Sequence, residues 1–211
     1  MSNLSIEDTI IGHYKDMDFL EKWVRDPSTP LEAINACVVY DYINLVKILL
    51  DRGADPNSVK DDHFIYESGD TLLQVAVHHN NFEMVKLLLE HGANPNHHGL
   101  FEETLLFHTI HPEITQILID KGVDINYQDG EGNTAFHVIL DLGNLEDALP
   151  VIKIYLKNGA DFMIRNRFNQ TVSEKFIKYY GCTVKDVSDA LETEILDLDD
   201  LNEYPPLFVN R

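Results

Sequence analysis

The apolar positions of this chain recur in a fixed arrangement. Asn44–Asn57, Phe82–Asn96, Glu113–Asn126 and Val151–Phe162 each carry Leu, Ile or Val at helical spacing, and each runs into a glycine, at 53, 92, 122 and 159. Spacings of three and four predict amphipathic helices. A glycine past the last turn supplies a left-handed residue with no Cβ clash. Upstream lies a second signal: Thr29-Pro-Leu, Thr71-Leu-Leu, Thr104-Leu-Leu and Thr134-Ala-Phe-His, with Thr171-Val-Ser after the last glycine. A threonine hydroxyl at a helix start can accept from an orphan backbone N–H. Gly92 to Thr104, Gly122 to Thr134 and Gly159 to Thr171 are each 12 residues, whereas Gly53 to Thr71 is 18. Three equal intervals predict one recurring unit, with extra residues inserted around 58–69.

The unit resembles the ankyrin repeat, a turn and two antiparallel helices over ~33 residues that opens with T-P-L-H-x-A. Thr71-Leu-Leu-Gln-Val-Ala76 followed by LLLEHGANPN, Thr134-Ala-Phe-His137 and RGADPN carry the likeness, which spans roughly residues 5–180. The resemblance implies an all-α ankyrin-repeat solenoid of about five repeats. Units start near 29, 71, 104, 134 and 171, after a degenerate unit at 5–26 with Phe19, Leu20, Trp23 and Val24 on an outer-helix face. The array would fill 1–180. Beyond it, 181–211 reads as an acidic capping helix and tail, with Val184, Val187, Leu191, Ile195 and Leu198 at helical spacing. The departures are also specific: the unit at Thr104 is short, so Pro112 should open its second helix directly after His111. The unit at Thr134 is long, with Leu145–Pro150 absorbing the excess.

Composition narrows the function. The 36 acidic and 16 basic residues give a net charge of -20. Such a field repels nucleic acid and anionic membranes and attracts basic proteins. The N-terminus lacks the basic and apolar regions of a signal peptide, and no apolar run is long enough to span a bilayer. The expectation is a cytoplasmic, monomeric chain whose Cys37 and Cys182 are plain thiols.

Catalytic signatures are missing: no G-x-S-x-G, P-loop, G-x-G-x-x-G after a strand or H-E-x-x-H occurs. Histidines crowd 78–111, and His108 and His111, three apart on a predicted helix, would share a face. No carboxylate or cysteine completes a zinc set around them, so a histidine-based metal site with a regulatory or catalytic role is the lesser alternative. His137 takes the place of the family's turn-bracing histidine. Asp61, Asp62, Glu102, Glu103, Asp129 and Glu131 lie on loops, where solvated carboxylates have nothing to split their pKa values. The expectation is a non-enzymatic chain with no cofactor.

In ankyrin arrays the partner sits on the concave side, made of inter-repeat finger loops and the exposed ends of first helices. By that resemblance the partner-binding residues here are Asp61, Asp62, Phe64, Tyr66, Glu67, Asp70, His78 and His79, then Phe101, Glu103, His111, Glu131, Asp141, Arg167, Phe168 and Tyr179. Aromatic anchors inside an acidic rim suit a basic protein. The function expected is capture of such a protein, as an inhibitor or immunity-type protein. The alternative is a scaffold that links two partners.

Overall fold

The computed structural model describes residues 5–59, 70–97, 103–141 and 145–180. Among them the architecture is all-α, a repeat solenoid built from stacked helix pairs, with only isolated antiparallel bridges at Val59–Thr71 and Arg165–Thr171. Two compact units divide the chain, Met1–Gly99 and Leu100–Arg211.

The first unit holds α1 Ile6–Gly12, α2 Met17–Arg25, α3 Ala33–Val39, α4 Ile43–Asp51, α5 Leu72–His78 and α6 Phe82–Glu90. α3 packs between α1 and α5, and α4 between α2 and α6, so first helices stack on first helices and second on second. Leu20, Val24, Leu45, Leu49, Val85 and Leu88 of the second helices are fully enclosed, each worth about 1.5–3 kcal/mol. Phe19, placed on an outer-helix face, is exposed and stacks on His13 at 4.0 Å. Asp41 and Asn80, both at positive φ, make the turns between paired helices. These are residue types that tolerate the left-handed region.

The second unit holds a 3-10 turn, Leu105–His108, and then α7 Pro112–Asp120, α8 Ala135–Asp141, α9 Leu145–Lys157 and α10 Val172–Tyr180. α8 packs between the 3-10 turn and α10, and α7 packs on α9. Pro112 does open α7 behind His111. The excess at 145–150 is helical and makes α9 13 residues long, against nine in α4, α6 and α7.

The repeat glycines end their helices as expected, with φ of 96° at Gly53, 91° at Gly92, 84° at Gly122 and 80° at Gly159. The threonines behave less uniformly, and the residue three positions on explains the difference. Gln74 Oε1 accepts the Thr71 N–H at 2.8 Å while Thr71 Oγ1 accepts the Gln74 N–H at 3.2 Å. Glu174 and Thr171 repeat the exchange at 3.0 Å in both directions. His137 Nδ1 accepts the Thr134 N–H at 3.1 Å. After Thr104 the equivalent residue is Phe107, which has no acceptor. There the first helix shrinks to the 3-10 turn, and the buried Thr104 Oγ1 is left without a hydrogen-bond partner among the described residues. Thr29 departs in another way: its hydroxyl donates to Trp23 O, and α3 begins only at Ala33 after a succession of tight turns.

Two further devices tie neighbouring repeats. Asn57 donates to Gly92 O at 3.2 Å and accepts from Asn94 N at 2.7 Å. Asn126 does the same with Gly159 O at 3.4 Å and Asp161 N at 2.7 Å. Arg52, just before Gly53, reaches back to the carbonyls of Val24 at 2.5 Å, Thr29 at 3.0 Å and Pro27 at 3.3 Å.

Candidate functional site

The residues singled out in the sequence fall on several local surfaces. Asp61, Asp62, Phe64, Tyr66, Glu67 and Phe101 lie outside the described residues, as do His98, Glu102 and the segment 181–211. Tyr179 belongs to α10.

In the first unit Asp70 is half-buried on the approach to α5, and His78 and His79 are exposed at that helix's C-terminal end. The capping box of Thr71 and Gln74 fixes where α5 starts, and hence where those imidazoles emerge.

In the second unit two fingers join. Asp129 Oδ1 accepts from the N–H groups of Glu131 and Asn133, both at 2.8 Å, which folds the first finger into a tight turn. Asn166 does the same in the second finger, taking Phe168 N at 3.0 Å and Gln170 N at 2.9 Å. The fingers are then bonded to each other, Arg167 N to Glu131 O at 2.8 Å and Asn166 Nδ2 to Asn133 Oδ1 at 2.8 Å. This joint brings exposed Glu131 beside exposed Arg167, with Phe168 next to them, 66% exposed. Phe168 is thus a large apolar side chain left open on a turn held by hydrogen bonds.

Below the fingers, Asp141 ends α8 and pairs with Lys175 of α10 at 2.7 Å. The lysine, almost wholly buried, also donates to His137 O at 3.3 Å. His137 is itself buried, and its Nε2–H donates to Gln170 O at 3.2 Å because Nδ1 is engaged as an acceptor. Burial holds its pKa below the usual 6.5; the Gln170 carbonyl pulls the other way. Sequence reasoning missed Lys175. Its signal is a charged residue between the apolar Val172 and Phe176, four positions after a repeat threonine.

The shared helix face expected of His108 and His111 does not form. His108 closes the 3-10 turn and meets Glu103 at 3.1 Å, while His111 precedes α7 in extended backbone and meets Glu113 at 3.0 Å. This repeat is three residues shorter than the one at Thr71 and Phe107 offers Thr104 no acceptor, and the helical turn that would have aligned them is absent. Among the described residues no three histidine, cysteine or acidic side chains converge as metal ligands. Cys37 is enclosed, with burial pushing its thiol up to about 12, far from the thiolate that chemistry needs. No helix among the described residues is long and apolar enough to cross a membrane.

The family model for ankyrin repeats matches residues 13–99 and 33–129, together more than half of the chain. The chain belongs to the ankyrin-repeat family. Among curated proteins it is 34% identical to an ankyrin repeat protein of fowlpox virus over 62% of this chain and 28% of that one. It is 34% identical to an ankyrin repeat protein of Acanthamoeba polyphaga mimivirus over 40% of this chain and 56% of that one. It is 29% identical to the E3 ubiquitin-protein ligase KEG of Arabidopsis thaliana over 74% of this chain. The match spans 9% of that ligase, and the chain covers 56% of the mimivirus protein and 28% of the fowlpox protein. Ankyrin repeats generally mediate protein–protein interaction.

Proposed function

We propose that this ankyrin-repeat protein is a non-enzymatic binder that captures a basic protein on its fingers and first-helix ends, and so blocks it. Phe168 carries the reading. It is a large apolar side chain held open at the tip of a finger that backbone and asparagine hydrogen bonds make rigid. A preorganised aromatic loses little freedom on binding. The excess of 36 acids over 16 bases selects the sign of the partner and would steer its approach. Glu131 beside the anchor supplies a local carboxylate for the partner's lysines or arginines.

The test is capture from native lysate by immobilised protein, comparing wild type with Glu131→Lys/Phe168→Ser and identifying the bound proteins by mass spectrometry. Both positions are exposed, so the fold should persist. The expected outcome is a set of basic proteins that disappears with the double substitution and fades as salt rises. The reading fails if the variant retains the same set.

A further inference from the structure

We infer a second docking surface, on the interhelical turns of the first repeats, which present tyrosine ring faces to the arginine side chains of a basic peptide. The proposal does not rest on the finger reading. Tyr14 lies in the turn between α1 and α2, and Tyr40 and Tyr42 flank Asp41 in the turn between α3 and α4. A positive φ of 61° at Asp41 reverses the chain, and Tyr42 N is held by Cys37 O at 2.8 Å, which fixes both tyrosine backbones.

Tyr14 is 54% exposed and Tyr40 37%, although each could bury much apolar area. The Tyr40 and Tyr42 rings lie 6.4 Å apart, tilted by 36°. The pKa of the Tyr42 phenol is raised, by burial first and then by Cys37, Tyr40 and Tyr14. Asn81 Nδ2 donates to Asp41 Oδ1, so the next interhelical turn braces this one.

The chemistry of the occupant follows from what the patch already holds. Lys15 Nζ stands 5.1 Å from the centre of the Tyr14 ring, so an ammonium has found one ring face within the molecule. Asp16, Asp18 and Asp41, on or next to the same two turns, are exposed. Exposed aromatic faces on turns that also carry carboxylates are complementary to a cation. Arginine fits better than lysine, because its planar guanidinium stacks on rings and is more weakly hydrated.

The experiment titrates full-length protein with a hexa-arginine peptide, following backbone amide shifts, and repeats it with Tyr14→Ser/Tyr40→Ser. The substitutions remove no charge, so the acidic field of the chain is unchanged. Both side chains are exposed, and a thermal melt checks that the fold persists. Expected are shifts centred on residues 14–16 and 40–42 and a loss of affinity of about five- to tenfold in the variant. A hexa-lysine peptide should bind more weakly than hexa-arginine and be less affected. Equal affinity for both proteins would show that the long-range field alone attracts the peptide, and would overturn the proposal. So would concentration-dependent self-association of the wild type that the variant abolishes, because the patch would then be an interface between copies.

Discussion

Replacing His137 tests whether the buried imidazole holds two finger loops together as a neutral group. It accepts the Thr134 N–H at 3.1 Å, donates to Gln170 O at 3.2 Å and is 0% exposed. His137→Leu keeps the bulk but strands the Thr134 N–H, while Gln170 O loses one of two donors and keeps Asn166 N–H at 3.0 Å. At ~1–3 kcal/mol for a buried polar group left unpaired, the loss should be about 2 kcal/mol. For a chain of this length that is a fall in Tm of roughly 6 °C. His137→Gln should cost only about 1 kcal/mol, since Gln74 performs the same reach-back to Thr71 N at 2.8 Å in the first unit. The pH dependence has a definite sign. Burial lowers the folded pKa below 6.5, with the Gln170 carbonyl opposing, Lys175 reinforcing, and Asp141 and Asp129 opposing. The unfolded chain therefore binds the proton more readily. The stabilisation is fully present above pH 6.5 and is lost as pH falls from there toward the folded pKa, by at most ~1.4 kcal/mol per pH unit. Urea melts of wild type and both variants at about pH 7.5 and about pH 5 read each quantity. The wild type's advantage over His137→Gln should shrink at the lower pH. An advantage that stays constant, or equal losses for Leu and Gln, would refute the neutral brace.

Two other substitutions probe the joints between repeats. Arg52→Ala removes the guanidinium that serves Val24, Pro27 and Thr29 carbonyls and should cost about 2 kcal/mol, seen as faster amide exchange in α2 as well as a lower Tm. Gly132→Ala should cost more than ~1 kcal/mol by thermal melt, because φ is +77° there and a Cβ would sit 3.2 Å from both Arg167 N and Asn166 Cα, in the seam between the fingers.

Much of the fold was legible because its signals are local and backbone-driven. A glycine before a polar turn ends a helix whatever surrounds it, and the threonine with an acceptor three residues on starts one. Phe107 shows how far that grammar reaches: read as the residue facing Thr104, it explains a 3-10 turn where its neighbours have α-helices. The site was less legible. The alignment of His108 with His111 assumed a helix that this shorter repeat does not form. The Asp141–Lys175 pair joins residues 34 apart, whose meeting depends on how α10 stacks on α8. The tyrosine turns were invisible for a related reason: apolar periodicity assigns side chains to helix faces and says nothing of those carried by turns.

The position before three of the four repeat glycines has a common job that no single copy reveals. Arg52 reaches back to the carbonyls at residues 24–29, His91 lies 3.5 Å from Asp51, and Asn158 Nδ2 reaches Gln116 Oε1 at 3.5 Å. In each case a side chain at the end of a second helix contacts the preceding repeat, and the asparagines 57 and 126 reach forward to the following one. A fold in which each repeat touches only its neighbours depends on such joints for its cooperativity. Joints lie with the second helices and the loops behind them, and also on the first-helix side, where His137 reaches Gln170 O and Lys175 reaches Asp141. The first helices nonetheless vary: one has become a 3-10 turn and another carries a buried lysine. An asparagine-to-alanine change at 57 or 126 should therefore loosen the array without touching its binding chemistry, which a change at Phe168 would do in reverse.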